Sequence, residues 1–188
     1  MEEIIHQFSN DDFYIPKWKI KHLFIGTFNP SGGEQVNYYY GRPRNRTWEI
    51  LSNISGEKLN PKDDDFLIKL QKNGIACIDL IHSVSAPIQN INGIIGQGYS
   101  DSKIINKRVN RIYNTNEIKN LIRKNPGIKV YSTWGNGSNL KNWKEEVKKI
   151  ENLINLKSPS MAARVPKGFQ KFDFMLNDWR EKINIFEA

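Results

Sequence analysis

Four short apolar runs, Ile20 to Phe28, Ile75 to Ile81, Ile128 to Trp134 and Leu153 to Leu156, are each closed by a turn or polar loop and separated by segments of helical spacing. Runs of this length suit buried strands better than helices. Between them, Asn45 is placed to cap a helix through Trp48, Ile50 and Leu51, and Asp63 to Asp65 to cap Phe66 to Lys72, which stops at Asn73-Gly74. Thr115 to Lys124 reads as a helix, and Ser138 or Asn139 opens another through Trp143, Val147 and Ile150. A last helix sets Phe172, Met175, Leu176, Trp179 and Ile183 at spacings of three and four, as a packed face requires. Ser83 to Ser100 reads as an irregular, glycine-rich stretch, with a short helix expected within Asp101 to Tyr113. Strands that alternate with helices predict an α/β fold: three layers, α/β/α, around a mostly parallel four-stranded sheet.

A chain of 188 residues fills one core, so a single domain spanning residues 1–188 is expected. No apolar stretch approaches the roughly 20 residues of a membrane span. Glu2 and Glu3 stand where a signal peptide would be basic, which points to a cytoplasmic protein. Cys77 is the only cysteine, and His6, His22 and His82 have no metal-ligand spacing, so neither a metal nor a disulfide is expected. There is no Walker A sequence, and Gly93, Gly96 and Gly98 follow no predicted strand; no nucleotide cofactor is expected. The net charge of +8 favours a polyanionic partner without naming it. The charge is clustered: Arg42, Arg44 and Arg46; Lys103, Lys107, Arg108 and Arg111; and Arg164, Lys167 and Lys171. Lys141 to Lys149 interleaves Glu145 and Glu146 and reads as an ordinary solvated face.

In an open parallel sheet the ligand crevice lies beyond the carboxyl ends of the strands. Those ends deliver Gly26 to Pro30, Gly135 to Asn139 and Ser158 to Ser160, which are expected to converge. After the first of them, "FNPSGGEQVNYYYGRPRNRTW" is far longer and more aromatic than a connection needs to be. "GTFNP" and "YYYGRPRNRTW" resemble the first motif and following stretch of the uracil-DNA glycosylase superfamily, in its mismatch-specific and deoxyinosine branches. "GIACIDLI" is similar to the second strand of those branches and "KSPSMAAR" to their second motif, so the resemblance runs from about Ile20 to Ile183. There are departures. Asn29 stands one residue further from Gly26 than in the mismatch-specific branch, whereas the deoxyinosine branch usually lacks an amide at that place. Arg42 and Lys157 both stand where histidines are common.

The resemblance implies a monofunctional DNA glycosylase of base excision repair, which flips a deaminated base, uracil or hypoxanthine, and hydrolyses its glycosidic bond. Its partner would be DNA carrying a damaged or mismatched base, and the protein itself a monomer with no membrane association. Asn29 would position the attacking water through its amide oxygen; the residue-level alternative is a turn cap before Pro30. Gly26, Thr27 and Phe28 would contact the base, the last two through backbone N–H groups, and Tyr40 would stack on it. The alternative for Tyr38, Tyr39 and Tyr40 is that they brace the loop. Arg42, Arg44, Gly137, Ser138, Ser158 and Ser160 would hold phosphates, with Met161 or Arg164 as a wedge in the minor groove. Pro30, Asn45, Arg46 and Trp48 would shape the loop, while Asp79 reads as a strand-end hydrogen-bonding residue and His82 as structural. An inactive nucleic-acid-binding member of the same fold, and an unrelated nucleotide-handling α/β enzyme, are the competing readings.

Overall fold

The computed structural model describes residues 1–95, 109–135 and 143–183. Its centre is a parallel four-stranded sheet in the order β3-β2-β6-β7, with β2 at His22–Gly26, β3 at Ile75–Asp79, β6 at Lys129–Ser132 and β7 at Leu153–Asn155. Every residue of β2 and β3 is buried, which is why these strands read as unbroken apolar runs rather than alternating ones.

Alternate side chains divide between two cores. Phe24, Ile75, Cys77 and Tyr131 face helices α1 (Thr47–Ser55), α2 (Phe66–Lys72) and the C-terminal helix Lys171–Lys182, whose Met175, Leu176 and Trp179 fill that side. Phe24 stacks between Tyr131 and Trp179, with ring centroids 4.9 and 5.8 Å away. Leu23, Ile25, Ala76, Ile78 and Val130 face the other way, toward α3 (Ile88–Ile95), α4 (Thr115–Lys124) and a second sheet. The central sheet and its helical cover match the expected architecture; the second sheet was not expected.

That sheet is three-stranded and antiparallel, in the order β1-β4-β5: β1 is Glu2–Ile5, β4 is Ile81–Ala86 and β5 is Asn110–Tyr113. Three readings are corrected by it. The run Ile75 to Ile81 is two strands: the chain leaves the parallel sheet after Asp79 and enters the antiparallel one at Ile81. Ser83 to Ile95 is strand and helix rather than irregular chain, because Val84, Ala86, Ile91 and Ile94 supply buried faces. Residues 110–113 are strand rather than helix; residues 101–108 of that segment lie outside the described residues. The helix expected from Ser138 to Ile150 is a single turn, α5 (Lys144–Val147), within the described residues. Asp65 offers α2 no side-chain cap and instead pairs with Lys69 at 3.0 Å, one turn on. The C-terminal helix Lys171–Lys182 is α6.

The topology itself selects a place for chemistry. Taken in chain order, the strands of the parallel sheet lie second, first, third, fourth, so connections leave β2 toward opposite edges. The crevice of such a sheet opens at the carboxyl ends of the two strands where the order reverses, here β2 and β6.

At the opposite end of β2, His22 is buried, with its Nδ1 3.1 Å from the Tyr131 hydroxyl. Burial first, then the charges of Lys129 and Lys21, lower its pKa from 6.5 to about 4. The unfolded chain therefore binds a proton that the folded one refuses between those values. Stability contributed by the neutral imidazole is complete above pH 6.5 and drains away as pH falls toward 4, by about 1–3 kcal/mol. Chemical denaturation at about pH 7 and about pH 4.5 is expected to show this loss, and His22→Phe, which keeps a ring against Tyr131, is expected to shrink it.

Candidate active site

Beyond the end of β2 the chain turns through Thr27, Phe28, Asn29 and Pro30, and the N-terminal segment clamps this turn. Gln7 N–H donates to the Asn29 carbonyl at 2.7 Å, Ser31 N–H donates to the Ile5 carbonyl at 2.9 Å, and His6 bridges Pro30 in antiparallel fashion. The clamp brings three polar side chains together from positions far apart in sequence. The Asn29 amide Nδ2 donates to Asp79 Oδ2 at 3.0 Å, and His6 Nε2 lies 2.8 Å from the same oxygen. All three are buried: His6 is 0% exposed, Asp79 2% and Asn29 9%.

The tautomer of His6 follows from its other nitrogen. Phe8 N–H donates to His6 Nδ1 at 3.1 Å, so Nδ1 carries a lone pair and the ring proton resides on Nε2, aimed at Asp79. An ionised carboxylate only accepts, so it also dictates that Asn29 presents nitrogen to it and turns Oδ1 away. Asp79 is thus more than a strand-end residue: it orients the Asn29 amide. Its charge also reaches its neighbours. Tyr39, Tyr40 and Cys77 are pushed well above their ordinary pKa values, and Tyr14 to about 12, by burial first, with the Asp79 charge contributing in each case. Asn114 Nδ2 holds the Asp79 backbone carbonyl at 2.8 Å, and Tyr14 links Asn114 to His82, 2.7 Å from Nδ1, which gives His82 its structural role.

Gly26 is where the wall closes. A Cβ built there would lie 2.2 Å from Asp79 Oδ1 and 3.0 Å from the Tyr40 hydroxyl, so only glycine lets both side chains reach the end of β2. Tyr40 has φ +59, a left-handed backbone that costs a tyrosine about 1 kcal/mol or more and persists only where the surroundings enforce it. They do so here through Thr133, at the end of β6, whose hydroxyl contacts both the Ile25 carbonyl and the Tyr40 hydroxyl at 3.2 Å. Tyr38 and Tyr39 are instead fully buried, and Trp48 Nε1 donates to the Tyr39 carbonyl at 2.8 Å. Of the three tyrosines, two brace the loop and one faces the site. The Phe28 ring is also buried, 5.8 Å from the His6 ring, so this residue can meet a ligand only through its backbone.

The second side of the crevice is stitched to the first. Asn45 pairs with Ser160, Arg46 N–H donates to the Pro159 carbonyl at 2.9 Å, and Met161 N–H donates to the Arg44 carbonyl at 2.9 Å. Asn45 Oδ1 accepts from Thr47 N–H at 2.9 Å, and Arg46 pairs with Glu49, so these two residues tie the loop to α1 as expected. Ser158 Oγ accepts from Ser160 N–H and Ser160 Oγ from Ala162 N–H, which leaves each hydroxyl a proton to donate. Gly135, with φ +68, packs its backbone against Ser158, where an added Cβ would lie 3.5 Å from the amide nitrogen, joining the ends of β6 and β7. Arg44 and Arg164 are exposed, Arg42 and Met161 half-buried. Lys157 turns outward: its Nζ lies 5.5 Å from the Phe174 ring centroid on α6. Gly137 and Ser138 lie outside the described residues, as do Lys103, Lys107 and Arg108.

Two members of the site were missed by sequence reasoning. Asp79 left a signal, a lone acid closing an apolar strand at the end of the sheet where ligands bind. His6 left none, because only tertiary pairing across 73 positions brings it there.

No protein-family model matches the chain, and no curated protein matches it in sequence. Among solved structures it is similar to the solution NMR structure of a "putative Uracil DNA glycosylase" from Methanosarcina acetivorans. The two share 19% identity with a TM-score of 0.50, covering 87% of this chain and 91% of that one. At that identity the likeness shows a shared fold.

The crowding at Gly26 is directly testable. Gly26→Ala must displace a buried carboxylate or the Tyr40 ring and is expected to lower the unfolding free energy by about 1–3 kcal/mol, read as a lower urea midpoint.

Proposed function

We propose that the protein is a monofunctional DNA glycosylase that removes a deaminated base, uracil or hypoxanthine, from a flipped nucleotide and leaves an abasic site for base excision repair. The observation that carries this reading is the Asn29 amide, fixed by Asp79 at the reversal point of the sheet, on the same glycine wall as the Tyr40 ring. The shared fold supports it, as does the description of the Methanosarcina acetivorans neighbour as a uracil DNA glycosylase.

In this reading the flipped base stacks on Tyr40 and meets backbone N–H groups of Thr27 and Phe28. Exposed Arg44, half-buried Arg42, and the hydroxyls of Ser158 and Ser160 hold the flanking phosphates, and the segment from Met161 to exposed Arg164 enters the minor groove, with one of those two residues as the wedge. Bond breaking builds positive charge on the sugar while the base departs with the electron pair. A water accepted by Asn29 Oδ1 then bonds to the anomeric carbon and releases its proton to solvent. An amide cannot take that proton, so the enzyme is slow and works best on bases that leave readily. Lys157 reinforces this, since it packs on α6 rather than against a departing base. The same observation favours one second reading, a member of the fold that binds DNA with little or no catalysis.

Labelled duplexes bearing one uracil, hypoxanthine or mispaired thymine separate the two. The glycosylase reading expects alkali-labile breaks at uracil or hypoxanthine, reduced about a hundredfold or more in Asn29→Ala. Tight, salt-sensitive binding without breaks would support the second reading, and binding of free nucleotides but not DNA would contradict both.

A further inference from the structure

The buried pair His6 and Asp79 exceeds what holding a turn requires. A turn cap needs one neutral acceptor, whereas Asp79 brings a full charge into a site where it is 2% exposed, at the cost of desolvation. Nor does His6 cancel that charge: its Nδ1 is occupied by the Phe8 N–H, so it approaches Asp79 as a neutral donor. The aromatic rings packed around His6, those of Phe8, Tyr14, Phe28 and Tyr39, lie 5.0 to 5.8 Å from it and carry no charge. Asp79 Oδ1 meanwhile points to the Gly26 wall beside the Tyr40 hydroxyl.

Resting on the glycosylase reading, we propose that Asp79, oriented by His6, is a positioning and electrostatic residue of the reaction. It locks the Asn29 amide with its oxygen available to water and places one uncancelled negative charge behind the sugar on which positive charge develops. A fixed charge in a water-poor site acts on a transition state without having to reorganise. The arrangement divides the labour: Asn29 provides the contact with water, Asp79 the field and the orientation, and His6 the register of the carboxylate. His6 and Asp79, at 0% and 2% exposure, act through the Asn29 amide and through their field, so their effect belongs in kcat rather than in DNA affinity.

Two variants and one ligand comparison test this. Asp79→Asn keeps size and removes the charge; it is expected to lower kcat on a uracil or hypoxanthine duplex about tenfold or more while KM stays within about twofold. His6→Phe keeps a ring among its aromatic neighbours but deletes the donor and is expected to lower kcat in the same way, with His6→Gln, which restores an N–H, recovering part of the loss. Binding supplies a readout apart from turnover. The wild type is expected to hold a duplex carrying a protonated pyrrolidine abasic analogue about tenfold more tightly than one carrying neutral tetrahydrofuran, a preference that Asp79→Asn abolishes. Thermal melts accompany each variant, and should Asp79→Asn fail to fold, the His6 pair and the wild-type cation preference decide the matter. A wild type that cleaves, beside folded variants that cleave with the same kcat and keep the cation preference, overturns this inference alone. A wild type that neither cleaves any duplex nor prefers the cation overturns the glycosylase reading and this inference with it.

Discussion

A carboxylate at 2% exposure imposes terms on everything around it. Left without partners, the Asp79 charge would cost several kcal/mol in a fold whose whole margin is about 5–15 kcal/mol. Two side-chain donors reach it from either end of the antiparallel clamp, His6 from the strand side and Asn29 from the turn after β2. The second sheet therefore has a definite task in this molecule. By pairing β1 with β4, which begins two residues after Asp79, it returns the N-terminus to the carboxyl edge of the parallel sheet and delivers His6 to the acid.

The same economy governs the opposite jaw. The aromatic loop after β2 would be costly to order by itself, but its backbone is bonded to the segment after β7, and Tyr38 is sunk in the core against Trp48 and Phe66, with Tyr39 buried beside it. Rigid support on both sides is what allows Tyr40 to hold an unfavourable φ of +59 with its ring on Gly26. Strain of this kind persists where the surrounding structure over-determines a residue, as ligand sites do. A preorganised amide, a fixed ring and a fixed charge are what the proposed glycosylase reading asks of this crevice.

The parts legible in the sequence were those set by local periodicity. The four parallel strands, the helices at Thr47, Phe66, Thr115 and Lys171, and the convergence of the loops after Gly26 and Leu156 all follow from short apolar runs and three-four spacing. The antiparallel sheet was not legible, because β1 and β5 each offer only four residues with an exposed or mixed pattern, and their identity comes from partners far along the chain. Ser83 to Ile95 misled because its polar residues interrupt the apolar pattern as a loop would: Ser85, Gln89 and Asn92 occupy the more exposed positions of a strand and a helix, while Ser83 is buried within the strand. Asp79 was visible but undervalued, since a strand-end acid has many ordinary uses. His6 was invisible, because a histidine among polar N-terminal residues acquires meaning only once tertiary pairing has buried it.

The central claim is that Asp79 receives two N–H donors, one from a neutral His6 ring, and thereby sets the direction of the Asn29 amide. Nitrogen-15 NMR of the His6 imidazole in the intact protein at neutral pH reads this most directly. The account predicts a protonated Nε2 and a bare Nδ1 that accepts from the Phe8 amide. A ring protonated at Nδ1, with Nε2 carrying the lone pair, would contradict it, for the donor to Asp79 would then be missing.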